Sequence, residues 1–348
     1  MATTQSPLTL SSATFAKLSP HPYLLANLQP PDASTPSSRT NGRQPRQARQ
    51  PNINTSSLSH AHGSAVVRTG DTTVICGVRG ETLLTTDIPN YRAPDVVNPT
   101  KSDAVAEADE LRDYDLLVPN IELATGCAPN FLPGVPPTTL AQTLSTRLYS
   151  LLHSSGLVDV EDLRIYHDRP EKQVPRHGDK MEEVDADEEE EDTAEVKAYW
   201  VLYIDVLFVS FDGNPFDAAW AAVLAALRDT KLPPAVWDPD HEMVLCSRKA
   251  PSSLNIRGMP VACTAAVFTA KEKQQRKGEQ GQYWILVDPD RFEESLCDEA
   301  LTVVVDRTLG ETKVLGISKS GGTTVGPQLM WKYVTVAEER WQEFKSAL

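Results

Sequence analysis

The sequence predicts an α+β fold made of two successive units, each running strands first and a helix last. Two observations carry that expectation. One is the run from Trp200 to Phe211, apolar almost without break, which passes through a glycine turn into a helical pattern ending near Leu232. The other is a second series of short β-rich runs that ends in a helical pattern closing at Leu348. At 348 residues with 40% apolar content the chain is long enough for one large or two medium domains. The expected division is 1–50 as an N-terminal helix and extended arm, 51–235 as a first domain and 236–348 as a second.

Trp200–Phe211 is rich in Val, Ile, Phe and Tyr, with Asp205 the main interruption, which suits a strand covered on both faces. Asp212-Gly213 supplies turn chemistry. Asn214 suits an N-cap, Pro215 the first helical position, and Asp217 the positive end of the helix dipole. Phe216, Ala219, Trp220, Val223, Leu224 and Leu227 follow at helical spacing, predicting one inward face. Lys231 and Pro233-Pro234 close the helix. A strand that enters a helix through glycine is a shape able to hold phosphate.

Upstream, Leu24, Leu25 and Leu28 suggest one helical stretch within Phe15–Leu28, a patch interrupted by Pro20 and Pro22. Gln29–Gln50, rich in Pro, Ser, Thr, Asn and Arg, reads as an extended arm. Its Arg39, Arg43, Arg46 and Arg49 leave two readings open: contacts to phosphate, or an arm laid on a neighbour or on its own fold. Ser64–Arg68 and Thr73–Val78, joined by Thr69-Gly70-Asp71, predict a hairpin. His60 and His62 are too few for a metal site and suit a loop at the sheet edge. Thr82–Pro137 reads as irregular, with one short strand at Leu116–Val118. Thr138–Ser154 reads as a helix with Leu140, Leu144, Leu148, Leu151 and Leu152 on one face and Gly156 as its stop. Asp162–Tyr166 begins a strand expected to pair with Trp200–Phe211, which makes the stretch between them, 168–196, an insert. In the second unit Met243–Lys249, Pro260–Phe268, Ile285–Val287, Leu301–Asp306 and Val314–Ser318 read as strands, and Lys271–Gln282 as a polar turn. Pro327–Leu348 reads as a helix with Leu329, Tyr333, Val336, Ala337, Trp341 and Phe344 inward.

The formal charge of −15 is concentrated. Met181–Glu195 alone holds ten acids, a composition expected of a solvated, disordered insert. The acidic balance argues against a free-standing nucleic-acid binder, which carries a basic face. Five scattered cysteines without a CxxC pair fit reduced thiols inside the cell better than a disulfide framework or a zinc site. There is no secretory pattern at the start, and no apolar run reaches the roughly 18–20 residues of a membrane span.

Two stretches invite chemistry. Gly321-Gly322-Thr323-Thr324-Val325-Gly326 lacks the Gly-Lys-Ser/Thr ending of a phosphate loop, so Thr323 or Thr324 is expected to cap the last helix instead. Asp288, Asp290, Glu293 and Glu294 cluster at a strand end, where they could bind Mg²⁺ or act as a general acid, or simply be surface carboxylates.

The segments GSAVVRTGDTTVICGVRGE, VLYIDVLFVSFDGNPFDAAWAAVLAAL, NIRGMPVACTAAVF, LVDPDRFEE and SGGTTVG, in that order, resemble the RNase PH family, and most closely the non-catalytic members of the eukaryotic RNA exosome ring. The resemblance covers roughly residues 20–348 apart from the acidic insert. It implies an RNase PH-like fold, a ribosomal protein S5 domain 2-like unit followed by a second α+β unit. It also implies a hexameric ring shared with other RNase PH-like subunits and a cap subunit, RNA passing through the channel, and residence in nucleus, nucleolus and cytoplasm. No metal and no cofactor is implied. Active relatives degrade RNA from its 3′ end with phosphate, which they hold in a Gly-Gly-Thr-Arg-Thr type turn. Here the matching turn is Gly213, Asn214, Pro215, Phe216 and Asp217, with no arginine and with a carboxylate where the anion docks. Asp288 and Glu294 match the family's later acids in placement and are expected to be vestigial. Arg92 is the residue the resemblance places nearest the RNA path, with Lys101 and Arg112 offset by Asp103, Glu107, Asp109 and Glu110. A plain surface arginine is the alternative.

Overall fold

The computed structural model describes residues 11–30, 34, 36–93, 110–167, 195–270, 282–322 and 325–348. The expected insert lies outside them except for Glu195 and Val196, which already belong to a strand. The polar turn 271–282 lies outside them except for its last residue.

The chain begins with two helices, α1 (Ser12–Leu18) and α2 (Pro20–Leu28), where one was expected. Pro20 and Pro22 fall in the first turn of α2, where a missing N–H costs little, so they start a helix and do not interrupt one. Leu24 and Leu28 are buried against Phe268 and Leu286, far along the sequence.

The first sheet comprises β1 (Pro51–Thr55), β2 (Gly63–Thr69), β3 (Thr72–Leu84), β4 (Leu117–Leu123), β5 (Arg164–His167) and β6 (Glu195–Ser210). Its order is β1-β2-β3-β6-β4, with β5 also on β6. The predicted hairpin closes at Thr69 opposite Thr72. β3 then runs on to Leu84 because it pairs with β6 along its whole length, Leu84 opposite Ala198. β5 joins β6 as expected, but against Glu195–Tyr199 and not along Trp200–Phe211. Two-faced burial of β6 holds only from Ala198 to Leu202. Beyond that the strand alternates, and Tyr203, Leu207 and Val209 point outward; apolar residues on the open face hid the period of two.

α3 (Thr139–Ser155) is capped by the Thr138 hydroxyl, which accepts from Ala141 N, and stops at Gly156, whose φ is 60°. Leu144, Leu148, Leu151 and Leu152 are buried, whereas Leu140 turns out to solvent. α4 (Pro215–Asp229) corrects the single inward face: every residue from Pro215 to Leu227 is buried. The helix sits between the first sheet and a strand of the second, and its alanines let both approach closely.

β7 (Lys231–Leu232) closes the first unit, and the second follows as β8 (Ala235–Asp238), β9 (Met243–Cys246), β10 (Ser252–Ser253), β11 (Val261–Thr269), β12 (Tyr283–Val287), α5 (Arg291–Leu296), β13 (Glu299–Asp306), β14 (Lys313–Ser320) and α6 (Pro327–Ala347). Its main sheet is antiparallel in the order β12-β11-β13-β14. α6 has Gly326 as its N-cap with no side-chain cap bond, which corrects the expected cap by Thr323 or Thr324; those two residues lie outside the described ones. Tyr333, Ala337, Trp341 and Phe344 are buried, Leu329 and Val336 only half so, and buried Arg340 stacks on Phe344 with 4.6 Å to the ring centroid. All five cysteines are free thiols.

Candidate functional site

β6 delivers the turn Asp212–Asp217 to the N-terminus of α4, and β12 delivers Asp288–Glu294 directly against it. Gly213 makes the approach possible. Its φ is 79°, and a Cβ there would lie 2.5–2.6 Å from the backbone of Pro289–Arg291. Asn214 occupies the N-cap position in the left-handed region (φ 47°) and makes no cap bond, which corrects its expected role. Its side-chain amide instead donates to Asp217 Oδ2 at 2.9 Å and to Asp288 Oδ1 at 2.8 Å, and its backbone N–H donates to Glu294 Oε1 at 2.7 Å. Pro215 has no N–H to offer, and the Phe216 ring carries the Arg147 guanidinium at 4.0 Å from its centroid. Asp217 accepts from Thr264 N at 2.8 Å and Thr264 Oγ1 at 2.6 Å. This carboxylate therefore already occupies donors at the turn. Burial raises its pKa, with the bonds from Thr264 and Asn214 pulling the other way.

The later acids are held by arginines of the N-terminal arm. Arg49 donates to Asp288 from Nε and Nη2, both at 2.8 Å, and its backbone N–H adds a third bond at 2.8 Å. Arg43 Nη1 lies 3.3 Å from the same carboxylate. Burial raises Asp288, but the bonds and charge of Arg49 outweigh it and hold the pKa at about 2. Arg39 is fully buried and pairs with fully buried Glu293 through Nε at 2.6 Å and through Nη2; it also donates to Val287 O at 2.7 Å. Asp290 and Glu293 form a capping box at the start of α5. Glu294 has no such cation bonded to it, and burial pushes its pKa up to about 7 against the bond from Asn214.

Arg39, Arg43 and Arg49 lie on the chain's own fold, on acids about 240–254 residues away. Arg46 is exposed. The acids are tied to the chain's own arginines and amides, and among the described residues no group of three or more His, Cys, Asp or Glu is placed to hold a metal ion. His62 Nδ1 accepts from Gly80 N at 2.8 Å, a sheet-edge contact as expected. At Gly321-Gly322, Lys319 Nζ donates to both carbonyls at 3.0 Å and pairs with Glu299 at 2.9 Å. Arg92 is exposed and apart from this site, its backbone N–H and C=O bonded to the Tyr114 hydroxyl. Arg112 is exposed, and Lys101 lies outside the described residues.

Sequence reasoning missed Thr264 and the pairing of the arm with the acids, for which spacing carries no signal. It also missed α5, although Asp290 followed three residues later by Glu293 is a legible helix start.

Chemically, Asp217 takes up the Asn214 and Thr264 donors, Arg49 favours the ionised form of Asp288, and burial raises the pKa of Glu294. A model of the 3′ exoribonuclease family matches the chain, domain 1 over residues 47–233 and domain 2 over residues 258–340. The chain is 30% identical over 334 residues to the exosome complex component rrp43 of Schizosaccharomyces pombe, covering 96% of each. It is 25% identical to the exosome complex component Rrp42 of Archaeoglobus fulgidus, over 80% of this chain and 79% of that one. Among solved structures, a chain of the Archaeoglobus fulgidus exosome with RNA bound to the active site superposes with a TM-score of 0.62 at 23% identity, covering 94% of this chain and 96% of that one, a likeness of fold. With both domains matched in order and a relative at this identity aligned from end to end, the chain belongs to the RNase PH, or 3′ exoribonuclease, family.

Proposed function

We propose that this chain is a catalytically silent ring subunit of an RNA exosome, taking the place that rrp43 names in its yeast relative. It would stand beside other RNase PH-like subunits and a cap subunit, line part of the RNA channel, and serve RNA processing and turnover in nucleus, nucleolus and cytoplasm. Its two domains would divide at 235/236. The carrying observation is Asp217: a buried carboxylate of the protein sits in the turn and uses the Thr264 and Asn214 donors. A phosphate brought there meets like charge, worth several kcal/mol near a protein surface at about 4 Å. Exposed Tyr203, Leu207 and Val209, which share one face of β6, support an assembled state, since an apolar stripe on an open sheet face suits a subunit contact.

The alternative is an active phosphate-dependent 3′-exoribonuclease. Full-length chain incubated with single-stranded RNA and phosphate is expected to release no nucleoside diphosphate. Release that Asp288→Ala abolishes establishes the alternative. A crystal soaked in phosphate with an ordered ion against Asn214–Asp217 would equally end the silent reading.

A further inference from the structure

A cleft of about 360 Å³ lies between α3 and the outer strand of the second sheet. Thr146, Ser150 and Ser154 of α3 line it together with Thr302 and Ser318 of the sheet. In a chain of formal charge −15, none of the described residues lining this cleft is acidic, and the one charged side chain among them is Arg147. No carboxylate among the described residues pairs with that guanidinium. Its contacts are Thr302 Oγ1 at 2.9 Å and the Phe216 ring. Burial lowers its pKa, with the charge of Asp217 acting the other way. A guanidinium carries five N–H donors in a planar fork, so most of its donor capacity is unspent.

β14 pairs with β13 on one side and ends the sheet on the other. Four consecutive residues of it, Leu315 to Ser318, line the cleft, so the strand borders the space along its edge and not by one face alone. Ile317 among them is exposed, as is Val314 just before. An unpaired edge offers backbone N–H and C=O groups to an added strand.

We propose that this cleft takes an extended peptide segment of another protein, added as a strand along the free edge of β14, with an Asp or Glu of that segment seated on Arg147. The charge pattern favours a peptide over RNA. The cleft shares Arg147, Phe216, Thr302 and Ser318 with a second depression of about 270 Å³, which Glu294, Asp298 and Glu299 line. A backbone with one charge per nucleotide would run on into those carboxylates, whereas a single carboxylate stops at Arg147. The proposal goes beyond the silent ring role and stands whether or not the turn binds phosphate.

The test uses the full-length chain and three fluorescent probes: a short peptide of alternating Val and Thr with a central Glu, its twin with Gln, and an oligouridylate. Anisotropy is expected to show the Glu peptide binding about tenfold more tightly than its twin. Arg147→Gln removes that preference, so the two changes do not add. Ile317→Asp, at an exposed position, weakens both peptides while circular dichroism stays native. Binding of neither peptide, equal affinity for both, or a preference that survives Arg147→Gln overturns the proposal. Oligouridylate binding that Arg147→Gln abolishes also overturns it and gives the cleft to nucleic acid.

Discussion

The two loops that meet at Asn214 hold their acids in opposite ways. On the turn side, Asp217 is buried with neutral donors alone, from Thr264 and Asn214. On the other side, Asp288 and Glu293 are as deeply buried but are met by Arg39, Arg43 and Arg49. One side-chain amide bonds Asp217 and Asp288 at 2.9 and 2.8 Å, yet burial raises the first while arginine holds the second at about 2. Burial is common to both; the cation delivered by a remote segment makes the difference.

The largest way to break this contrast is Arg39→Ala. It leaves Glu293 buried without its partner and should cost about 3–5 kcal/mol of stability in urea unfolding. Next comes Glu294, which accepts from the Asn214 backbone N–H. Its folded pKa, about 7 against an ordinary 4.5, is raised. That contribution to stability is full below 4.5 and is lost as pH rises through 7, on the order of 3 kcal/mol. Asp288 runs the other way: its contribution is present above 3.8 and is lost as pH falls through 2. Glu294→Gln should therefore flatten the stability profile between pH 5 and 8, as read by thermal melts, while leaving the acid limb in place. Gly213→Ala attacks the contact between the two loops; the left-handed backbone alone costs about 1–3 kcal/mol, before the clash with Pro289–Arg291. Its signature is a fall of the Glu294 pKa toward 4.5 as the segment moves away and water enters. The smallest effect is expected from Asp217→Asn, within about 1 kcal/mol, because an amide of the same shape keeps most of these bonds. A loss above that would mean the turn depends on charge after all.

What could be read from the chain was what neighbouring residues decide. The path from β6 through Gly213 and Pro215 into α4 is written locally, as are the β2–β3 hairpin and the stop at Gly156. β1 was missed because Pro51–Thr55 joins the sheet through its backbone and brings little apolar surface. The full burial of α4 was missed because alanine reads as neutral in a periodicity and only packing shows that both sides are covered. The residues of both loops were legible as candidates. That they touch, and that three arginines from a Pro- and Ser-rich arm neutralise one of them, depends on contacts across more than 200 residues that no local pattern encodes.

The N-terminal segment has a consequence for synthesis. Leu24 and Leu28 find cover only on Phe268 and Leu286, and Arg39 finds Glu293, 254 positions later. At about 5–20 residues per second, the ribosome makes the opening helices roughly 10–50 s before their docking surface exists. During that interval a nascent polypeptide displays a greasy leader with nowhere to settle, and a product cut short by premature termination displays it permanently. Two helices translated early thus close over a surface made more than 200 residues later.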